Sequence, residues 1–198
     1  EVIVVKDLRA PYPAGSRGFH CIKLKATTAA LERLRAGGAG AHGAMLDTVD
    51  CVVMGAYQGR GKRAAFGVGG FLLGIRGPGE RYYSISRLGS GLSDEQFRDA
   101  GVRLERLRAA AMPKEYAVER DMAPDFWVRP ALVVEILADE ITRSERHTAG
   151  KKGGGRGYSL RFPRLVRFRD DKNPEDATTV TEIARMFRQQ KMSTKQKV

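Results

Sequence analysis

The sequence predicts a mainly β protein of the α+β class, in which strands close a small barrel and helices are added to it. Short apolar and β-branched runs recur along the chain, separated by turn-rich segments such as GRGKR and GPGE. Two segments show helical spacing of apolar residues instead. The 198 residues, 42% of them hydrophobic, are enough for one compact domain with some additional structure.

Two strands are predicted before the barrel. EVIVVK is a nearly continuous apolar run, which is typical of a buried strand. In FHCIKLK apolar and polar residues alternate, so Lys23 and Lys25 are expected to share one face of a strand. Residues 26–46, rich in alanine and glycine, predict a linker or surface insertion with at most one short helix.

The barrel strands begin near Asp50. Three of them, CVVMGAY, FGVGGFLLGI and YYSISRL, precede a helix, and two more follow it. Ser93 and Gln96 form a capping box at the start of that helix. Its predicted apolar face consists of Phe97, Ala100, Leu104 and Leu107. This order of elements is that of an OB-fold, a small barrel that commonly binds nucleic acid.

The end of the chain and its overall charge add further expectations. A last helix is predicted from Thr179, followed by a disordered basic tail from Lys191. The formal net charge of +12 predicts attraction to nucleic acid, nucleotide phosphates or an anionic membrane surface. No apolar run is long enough to span a membrane, so we expect no membrane association. Because Glu1 is not preceded by methionine, we interpret the chain as part of a longer polypeptide.

Residues 159–172, SLRFPRLVRFRDDK, combine many cations with aromatic residues. Arg167 and Arg169 alternate with Val166 and Phe168, which predicts a cationic stripe on one face of a strand. Such a stripe suits an anionic target.

Arg161 and Phe162 precede Pro163 in the same stretch, and the proline should bend the chain there and push this pair out of the regular ladder. A protruding Arg and Phe could enter a DNA minor groove as a wedge. The alternative is a buried Phe beside a salt-bridged Arg, and the residues alone slightly favour this alternative.

Three further groups leave alternatives open. In GAYQGRGKR the phosphate-loop spacing fails, so this segment is a hairpin turn whose Arg60, Lys62 and Arg63 either contact a DNA backbone or are simply exposed. Glu135 is either an outward-facing strand residue or a buried acid paired with arginine. Glu1 with Lys23 and Lys25 fits metal and phosphate binding in nucleotidyl transfer, although paired strand lysines often serve only solubility.

Several motifs occur together in the wording and order of one family. They are EVIVVK, CIKLK, DCVVMGAYQGRGKR, GGFLLG, LGSGLSDEQF and SLRFPRLVRFRDDKNPEDATT. The chain resembles the replicative ATP-dependent DNA ligases of eukaryotes and archaea from Glu1 to about Gln190. SLRFPR followed by DK and EDATT is the most specific part of this resemblance.

The resemblance implies two domains and a set of roles. Residues 1–27 would end the nucleotidyltransferase (adenylation) domain, and residues 28–198 would form the OB-fold domain with its disordered basic tail. Glu1 would be the motif IV acid that holds a metal ion. Lys23 and Lys25 would be the motif V lysines that contact the nucleotide phosphate.

The resemblance also assigns the stretch before the last helix. Arg161 and Phe162 would enter the DNA minor groove near a nick. Motif VI closes over ATP and orients the pyrophosphate leaving group, and the OB domain rotates between this state and a DNA-facing state. The residues of this motif would be Arg164, Arg167, Arg169, Asp171 and Lys172.

Three departures from the family pattern stand out. Val2 replaces the usual glycine of motif IV, and the connection at 26–46 is longer than usual. No K-x-D-G motif occurs, so the nucleophilic lysine that accepts AMP is absent from this sequence. The segment alone should therefore be inactive.

The implied function is nick sealing by a DNA ligase that uses ATP and Mg2+, through enzyme-AMP and DNA-adenylate intermediates. The implied partners are nicked double-stranded DNA and the upstream adenylation and DNA-binding domains of the same enzyme. We expect a monomeric intracellular protein, nuclear or mitochondrial. The alternative is a non-catalytic OB-fold module that binds single-stranded nucleic acid through a basic groove. An RNA capping or RNA ligase relative is a third, weaker candidate.

Overall fold

The structure, a computed structural model, describes residues 2–11, 21–25 and 47–195, and strands predominate in it. The strands are β1 (Val2–Lys6), β2 (Cys21–Lys25), β3 (Val49–Gln58), β4 (Val68–Arg76), β5 (Tyr82–Leu88), β6 (Arg108–Ala109), β7 (Tyr116–Ala117), β8 (Phe126–Val128), β9 (Val133–Leu137), β10 (Glu140–Ser144), β11 (Gly157–Arg161) and β12 (Arg164–Phe168). The α-helices are α1 (Asp94–Arg106) and α2 (Val180–Lys195). Short 3-10 helices cover Gly61–Phe66, Pro78–Glu80, Arg120–Met122 and Pro174–Asp176.

The first two strands, β1 and β2, pair with each other as an antiparallel hairpin-like ladder. No finding tests the predicted domain boundary between residues 27 and 28, which stays a prediction.

In the described ranges no helix has the length and apolar character needed to cross a bilayer.

Strand β3 is central to the barrel because it is paired on both edges. It runs antiparallel to β4 on one side and to β9 and β8 on the other. The order along the main sheet is β12, β9, β3, β4, β5, β7. On the far side of β5, the hydroxyl of Ser86 donates to the carbonyl of Leu160 in β11 at 3.1 Å. The predicted OB-fold is therefore confirmed.

The last two barrel strands are bent in the middle. β9 and β10 are separated at Ala138 and Asp139, and β11 and β12 are separated at Phe162 and Pro163. The two interruptions face each other, since the amide of Asp139 donates to the carbonyl of Arg161 at 2.9 Å. Each half then pairs with a half of the other strand, β10 with β11 and β12 with β9. Pro163, which has no amide hydrogen, lies where the ladder stops, as the sequence predicts.

Two apolar clusters are present among the described residues, and the larger one fills the barrel and extends beneath both helices. From α1 it receives Phe97, Ala100 and Leu104, and from α2 it receives Ile183. All four side chains are fully or almost fully buried. Its barrel-strand members include Cys51, Val53, Phe71, Leu73, Ile75, Ile85, Val134, Ile136 and Leu165.

Helix α1 begins as predicted. The amide of Gln96 donates to the hydroxyl of Ser93, and the side chain of Gln96 accepts from the amide of Ser93. Both bonds satisfy donors that a helix start would otherwise leave unpaired. Gly101 occupies the middle of this helix because a Cβ there would lie 2.7 Å from the carbonyl oxygen of Phe66. The glycine therefore allows α1 to approach the 3-10 helix after β3 closely.

Replacing Gly101 by alanine should lower stability, although alanine is the better helix former by about 1 kcal/mol. Overpacking against a backbone atom costs about 1–3 kcal/mol, which outweighs that gain. We expect a lower thermal unfolding midpoint for Gly101→Ala. Val102→Ala, at an exposed position of the same helix, is the matched control and should leave the midpoint nearly unchanged or raise it slightly. A stabilised Gly101→Ala variant would contradict the close approach.

Helix α2 starts at the predicted position and ends later than expected. Thr179 and Glu182 cap each other: the amide of Glu182 donates to the Thr179 hydroxyl, and Glu182 accepts from the Thr179 amide. The helix continues to Lys195, although disorder was predicted from Lys191. No glycine or proline interrupts this segment, and extending an existing helix adds one hydrogen bond for each residue fixed.

His147 is a buried polar residue in the loop between β10 and β11. Its side chain is 7% exposed, and its Nδ1 has no hydrogen-bond partner among the described residues. Burial lowers its pKa to about 4; the charges of Arg87 and Arg146 act in the same direction and that of Asp121 opposes them. The folded state therefore favours the neutral imidazole.

This depressed pKa predicts that acid weakens the fold through His147. Its contribution to stability is complete above the unfolded-state pKa near 6.5 and is lost as the pH falls toward 4. The loss is on the order of 3 kcal/mol at most. Denaturant midpoints of the wild type and His147→Gln, measured between pH 7.5 and pH 4.5, should show a smaller acid-induced decrease for the variant. Parallel curves would contradict this assignment, because His20 and His42 remain in both proteins.

Candidate functional site

Arg169 lies at the centre of a cluster of charged side chains at the end of β12. Its amide donates to the carbonyl of Val133, which fixes its backbone beside β9. Its Nη1 lies 3.1 Å from Oδ1 of Asp50, and its Nε and Nη2 donate to the two carboxylate oxygens of Asp171 at 2.9 and 2.8 Å. The side chain is only 13% exposed. The guanidinium is thus held by one carboxylate on each of two edges.

Lys172 reaches the same cluster through a turn. Its amide donates to the carbonyl of Arg169 at 3.1 Å, and its Nζ lies 2.6 Å from Oδ2 of Asp50. Asp50 therefore accepts hydrogen bonds from both cations. The structure thus brings Arg169 and Lys172 together on one carboxylate, while their role in motif VI stays a prediction.

Asp50 is a member of this cluster that sequence reasoning did not single out. It lies in β3, and its backbone is bound to Thr178: the Asp50 amide donates to the threonine hydroxyl, and the Thr178 amide donates to the Asp50 carbonyl. Thr178 thereby anchors the chain after Lys172 to the central strand. The one sequence signal was an acid placed directly before the otherwise apolar run CVVMGA.

Glu135 connects the cluster to Arg167. Of the two interpretations left open, the structure has the buried acid paired with arginine: Oε2 lies 2.6 Å from Nε of Arg167, and Oε1 accepts from the Thr48 hydroxyl at 2.7 Å. Nη1 of Arg169 lies 3.8 Å away. Burial raises the pKa of Glu135, but these hydrogen bonds and the two arginine charges outweigh it and bring the pKa below its ordinary value.

At the exposed edge of the cluster, Arg169 and Asp171 stabilise each other in their charged forms. The hydrogen bonds from Arg169 lower the pKa of Asp171 to about 2. The same bonds, with the charges of Asp50, Asp171 and Glu135, raise the pKa of Arg169 against the effect of burial. The pair therefore stays ionised across the physiological pH range.

Arg164 belongs to a separate ion pair. Its Nη1 lies 2.7 Å from Oδ1 of Asp139, at the bend of β9 and β10, and both side chains are largely buried. The five predicted motif VI residues thus lie along one strand and the turn after it, but Arg164 is engaged at the other end of β12 from Arg169.

Arg161 and Phe162 lie at the bend between β11 and β12. Arg161 remains in the ladder opposite Glu140 and forms an ion pair with it at 3.3 Å. Phe162 leaves the ladder with φ of 52°, a left-handed conformation that is uncommon for a large residue. Its side chain is 50% exposed, and the Arg161 guanidinium lies 4.9 Å from its ring centroid. The interpretation of Phe162 as a buried core residue is therefore wrong.

The three basic residues after β3 have different surroundings. Arg60 and Lys62 are exposed. Arg63 instead donates to the carbonyl of Gly89 at 2.8 Å and lies 4.5 Å from the Phe97 ring centroid, so it stabilises local packing.

A surface cavity of about 680 Å³ adjoins these residues and is lined by Arg60, Arg63, Arg87, Tyr57 and Asp125, among others. Arg87 lies 3.6 Å above the Tyr57 ring, a pairing that sequence reasoning missed because the two residues lie on non-adjacent strands.

Lys23 and Lys25 lie in β2, opposite Val4 and Val2 of β1. Their side chains and the whole of Glu1 lie outside the described part of the structure. The predicted phosphate and metal contacts of these three residues stay predictions.

The described residues do not themselves fit a magnesium site. Within residues 2–11, 21–25 and 47–195, no three His, Cys, Asp or Glu side chains are grouped to hold a metal ion. The carboxylates of Asp50, Glu135 and Asp171 are bonded to cationic side chains instead. Magnesium, with Glu1 as its ligand, stays a prediction.

Comparison with known proteins is consistent with this geometry. A family model described as "ATP dependent DNA ligase C terminal region" matches residues 64–172. The match covers more than half of the chain and ends at Lys172, the last cation of the cluster.

Relatives from several organisms match nearly the whole chain. A "Probable DNA ligase" of Dictyoglomus turgidum is 44% identical over 194 residues, covering 96% of this chain and 31% of the relative. A "DNA ligase" of Pyrobaculum calidifontis is 37% identical and one of Saccharolobus solfataricus 38%, each over 96% of this chain. The chain thus spans about a third of the length of the relatives that it matches.

A solved structure shares the architecture. The ligase domain of LigD from M. tuberculosis aligns with a TM-score of 0.51 and 28% identity, covering 67% of this chain and 38% of that one. Taken with the family match over residues 64–172, these likenesses lead to one assignment. The chain belongs to the family of ATP-dependent DNA ligase C-terminal regions.

Proposed function

We propose that this chain forms the C-terminal part of an ATP-dependent DNA ligase that seals nicks in duplex DNA. The enzyme would transfer AMP from ATP to its own lysine, then to the 5′ phosphate of the nick, and the 3′ hydroxyl would displace AMP. The observation that carries the proposal is the pair of cations, Arg169 and Lys172, gathered on one carboxylate at the end of β12.

These two cations suit the first chemical step. In it the lysine nitrogen bonds to the α-phosphorus of ATP and releases a proton to solvent, while the bond to the bridging oxygen breaks and pyrophosphate leaves with the electron pair. Negative charge grows on that leaving group. Preorganised cations stabilise such charge best, because they need not be oriented as the reaction occurs.

Asp171 is the carboxylate that a phosphate would replace on Arg169. Its side chain is 64% exposed, whereas Asp50 on the other edge is 14% exposed. A phosphate offers the same bidentate geometry to Nε and Nη2 as this carboxylate does. The exchange therefore requires no movement of the buried partner.

Two surfaces support contact with DNA. Phe162 and Arg161 lie exposed at the bend of the last strands, and uncommon backbone conformations like that of Phe162 cluster at functional sites. Arg60 and Lys62 are exposed beside the arginine-lined cavity and suit phosphate contacts. A wedge at one position and backbone contacts at another would hold a nicked duplex.

The remaining parts of the proposal have unequal support. ATP follows from the family description. Magnesium, the monomeric state and the intracellular location, nuclear or mitochondrial, stay predictions that no finding tests. A single-strand-binding module that is not catalytic is not favoured, because the matching relatives are named DNA ligases.

Removing either cation from the complete ligase should impair self-adenylation. We expect Arg169→Ala and Lys172→Ala to slow formation of the enzyme-AMP adduct by about a hundredfold or more, since each removes a preorganised charge from the leaving group. Intact mass after incubation with ATP measures this adduct directly. Arg156→Ala, which removes an exposed loop arginine paired with Glu145, is the matched control. Normal adduct formation by both cation variants would refute the assignment of motif VI.

Removing the exposed ring of Phe162 should weaken binding to nicked DNA. We expect Phe162→Ala to lower the affinity of the complete ligase for a nicked duplex about tenfold, given the usual contribution of one ring to base contacts. Met112→Ala, at another exposed apolar side chain, is the control. Equal loss for nicked and single-stranded DNA would point to the single-strand module instead.

A further inference from the structure

The carboxylate of Asp50 is shared by both cations of the cluster, and this sharing is specific to it within the described residues. It lies 3.1 Å from Nη1 of Arg169 and 2.6 Å from Nζ of Lys172. Glu135 approaches Arg169 only at 3.8 Å, and Asp171 bonds to Arg169. Asp50 therefore links the two positively charged side chains to each other.

The backbone of Asp50 is fixed on two sides. In the ladder of β3 and β9 it stands opposite Glu135, and it exchanges two hydrogen bonds with Thr178. A carboxylate on a central, doubly paired strand has little freedom to follow a moving partner. Asp50 thus provides a fixed point from which the longer arginine and lysine side chains extend.

We propose that Asp50 is a positioning residue for self-adenylation: it holds Arg169 and Lys172 at the separation and orientation in which they meet the departing pyrophosphate. The inference rests on the proposed function. It goes further because Asp50 lies in the first barrel strand, outside motif VI, and would orient the cations of that motif.

Geometry distinguishes positioning from plain stabilisation. A buried ion pair on its own contributes little net stability, because desolvation offsets the attraction between the charges. The Nε and Nη2 edge of Arg169 is bonded to the exposed Asp171, so this edge can exchange its partner while Nη1 stays on Asp50. The same arrangement leaves Lys172 anchored during the exchange.

The test separates the ATP-dependent step from the last step of sealing. Asp50→Asn in the complete ligase preserves shape and removes the charge. We expect adduct formation at saturating ATP to slow about a hundredfold, the usual effect of a misplaced catalytic group. Sealing of a nick that already carries AMP on its 5′ phosphate should remain within about twofold of wild type, because pyrophosphate does not depart in that step.

Two companion variants calibrate this result. Asp170→Asn makes the same change one residue from Arg169, at an exposed carboxylate paired with Arg103, and should leave both rates unchanged. Asp50→Glu restores the charge and should recover part of the adenylation rate. Recovery by Glu and not by Asn identifies the charge, not the packing, as the cause.

Each remaining outcome overturns a defined statement. If Asp50→Asn adenylates normally while Arg169→Ala does not, the positioning role is refuted and the proposed function stands. If Asp50→Asn slows adenylation and sealing of the pre-adenylated nick alike, with a lower unfolding midpoint, Asp50 is only structural. If Arg169→Ala and Lys172→Ala also adenylate normally, the assignment of motif VI is refuted and the role of Asp50 with it. If the wild-type ligase forms no adduct with AMP, the proposed function itself fails.

Discussion

The double pairing of β3 is the constraint on which the rest of the structure depends. This strand holds β4 on one edge and β8 and β9 on the other, so the barrel closes around it. Asp50 lies near the start of this strand. Its backbone is hydrogen-bonded to Thr178, and its carboxylate accepts hydrogen bonds from Arg169 and Lys172. The fold and the charged cluster are therefore positioned by one strand.

The bend in the last two strands separates the functional side chains of one basic stretch. It divides one basic stretch between two environments, since Arg161 and Phe162 lie at the bend while Arg169 lies at the far end of β12. At this bend Pro163 ends the ladder because it has no amide hydrogen, and Arg164 forms an ion pair with Asp139. One continuous segment can thus present an aromatic wedge at one end and a phosphate-suited cation at the other.

Local signals explain which parts of the fold could be predicted from the sequence. The capping boxes at Ser93 and Thr179 involve residues three positions apart, and the bend at Pro163 follows from a missing amide hydrogen. The two-residue strands β6 and β7 were missed because no periodicity can be detected over two residues.

The centre of the site was missed for another physical reason. Arg169 is separated from Asp50 by 119 positions and Thr178 by 128, so only the closed barrel brings them together. Alternation along β12 predicted Arg167 and Arg169 on one face, and both lie near Glu135, at 2.6 and 3.8 Å. The bulge between Leu165 and Arg167, where both Leu165 and Val166 are buried, has no signal in that alternation. Glu135, left open by the sequence, is buried because it lies opposite Asp50 in the same ladder and receives Arg167.

A protein with a net charge of +12 still surrounds its candidate phosphate-binding cations with carboxylates, and electrostatics gives the reason. Unpaired cations in a largely buried cluster would repel each other and would lose hydration without compensation. Buried carboxylates on strands offset this repulsion and lost hydration. A carboxylate on an exposed turn can instead be displaced by an anion of higher charge. Asp50 and Glu135 are of the first kind and Asp171 is of the second. On the proposed function, a polyphosphate carrying several charges would displace the exposed carboxylate and leave the buried ones in place. The cluster is then stable in both states, and the arginine changes one partner instead of its position.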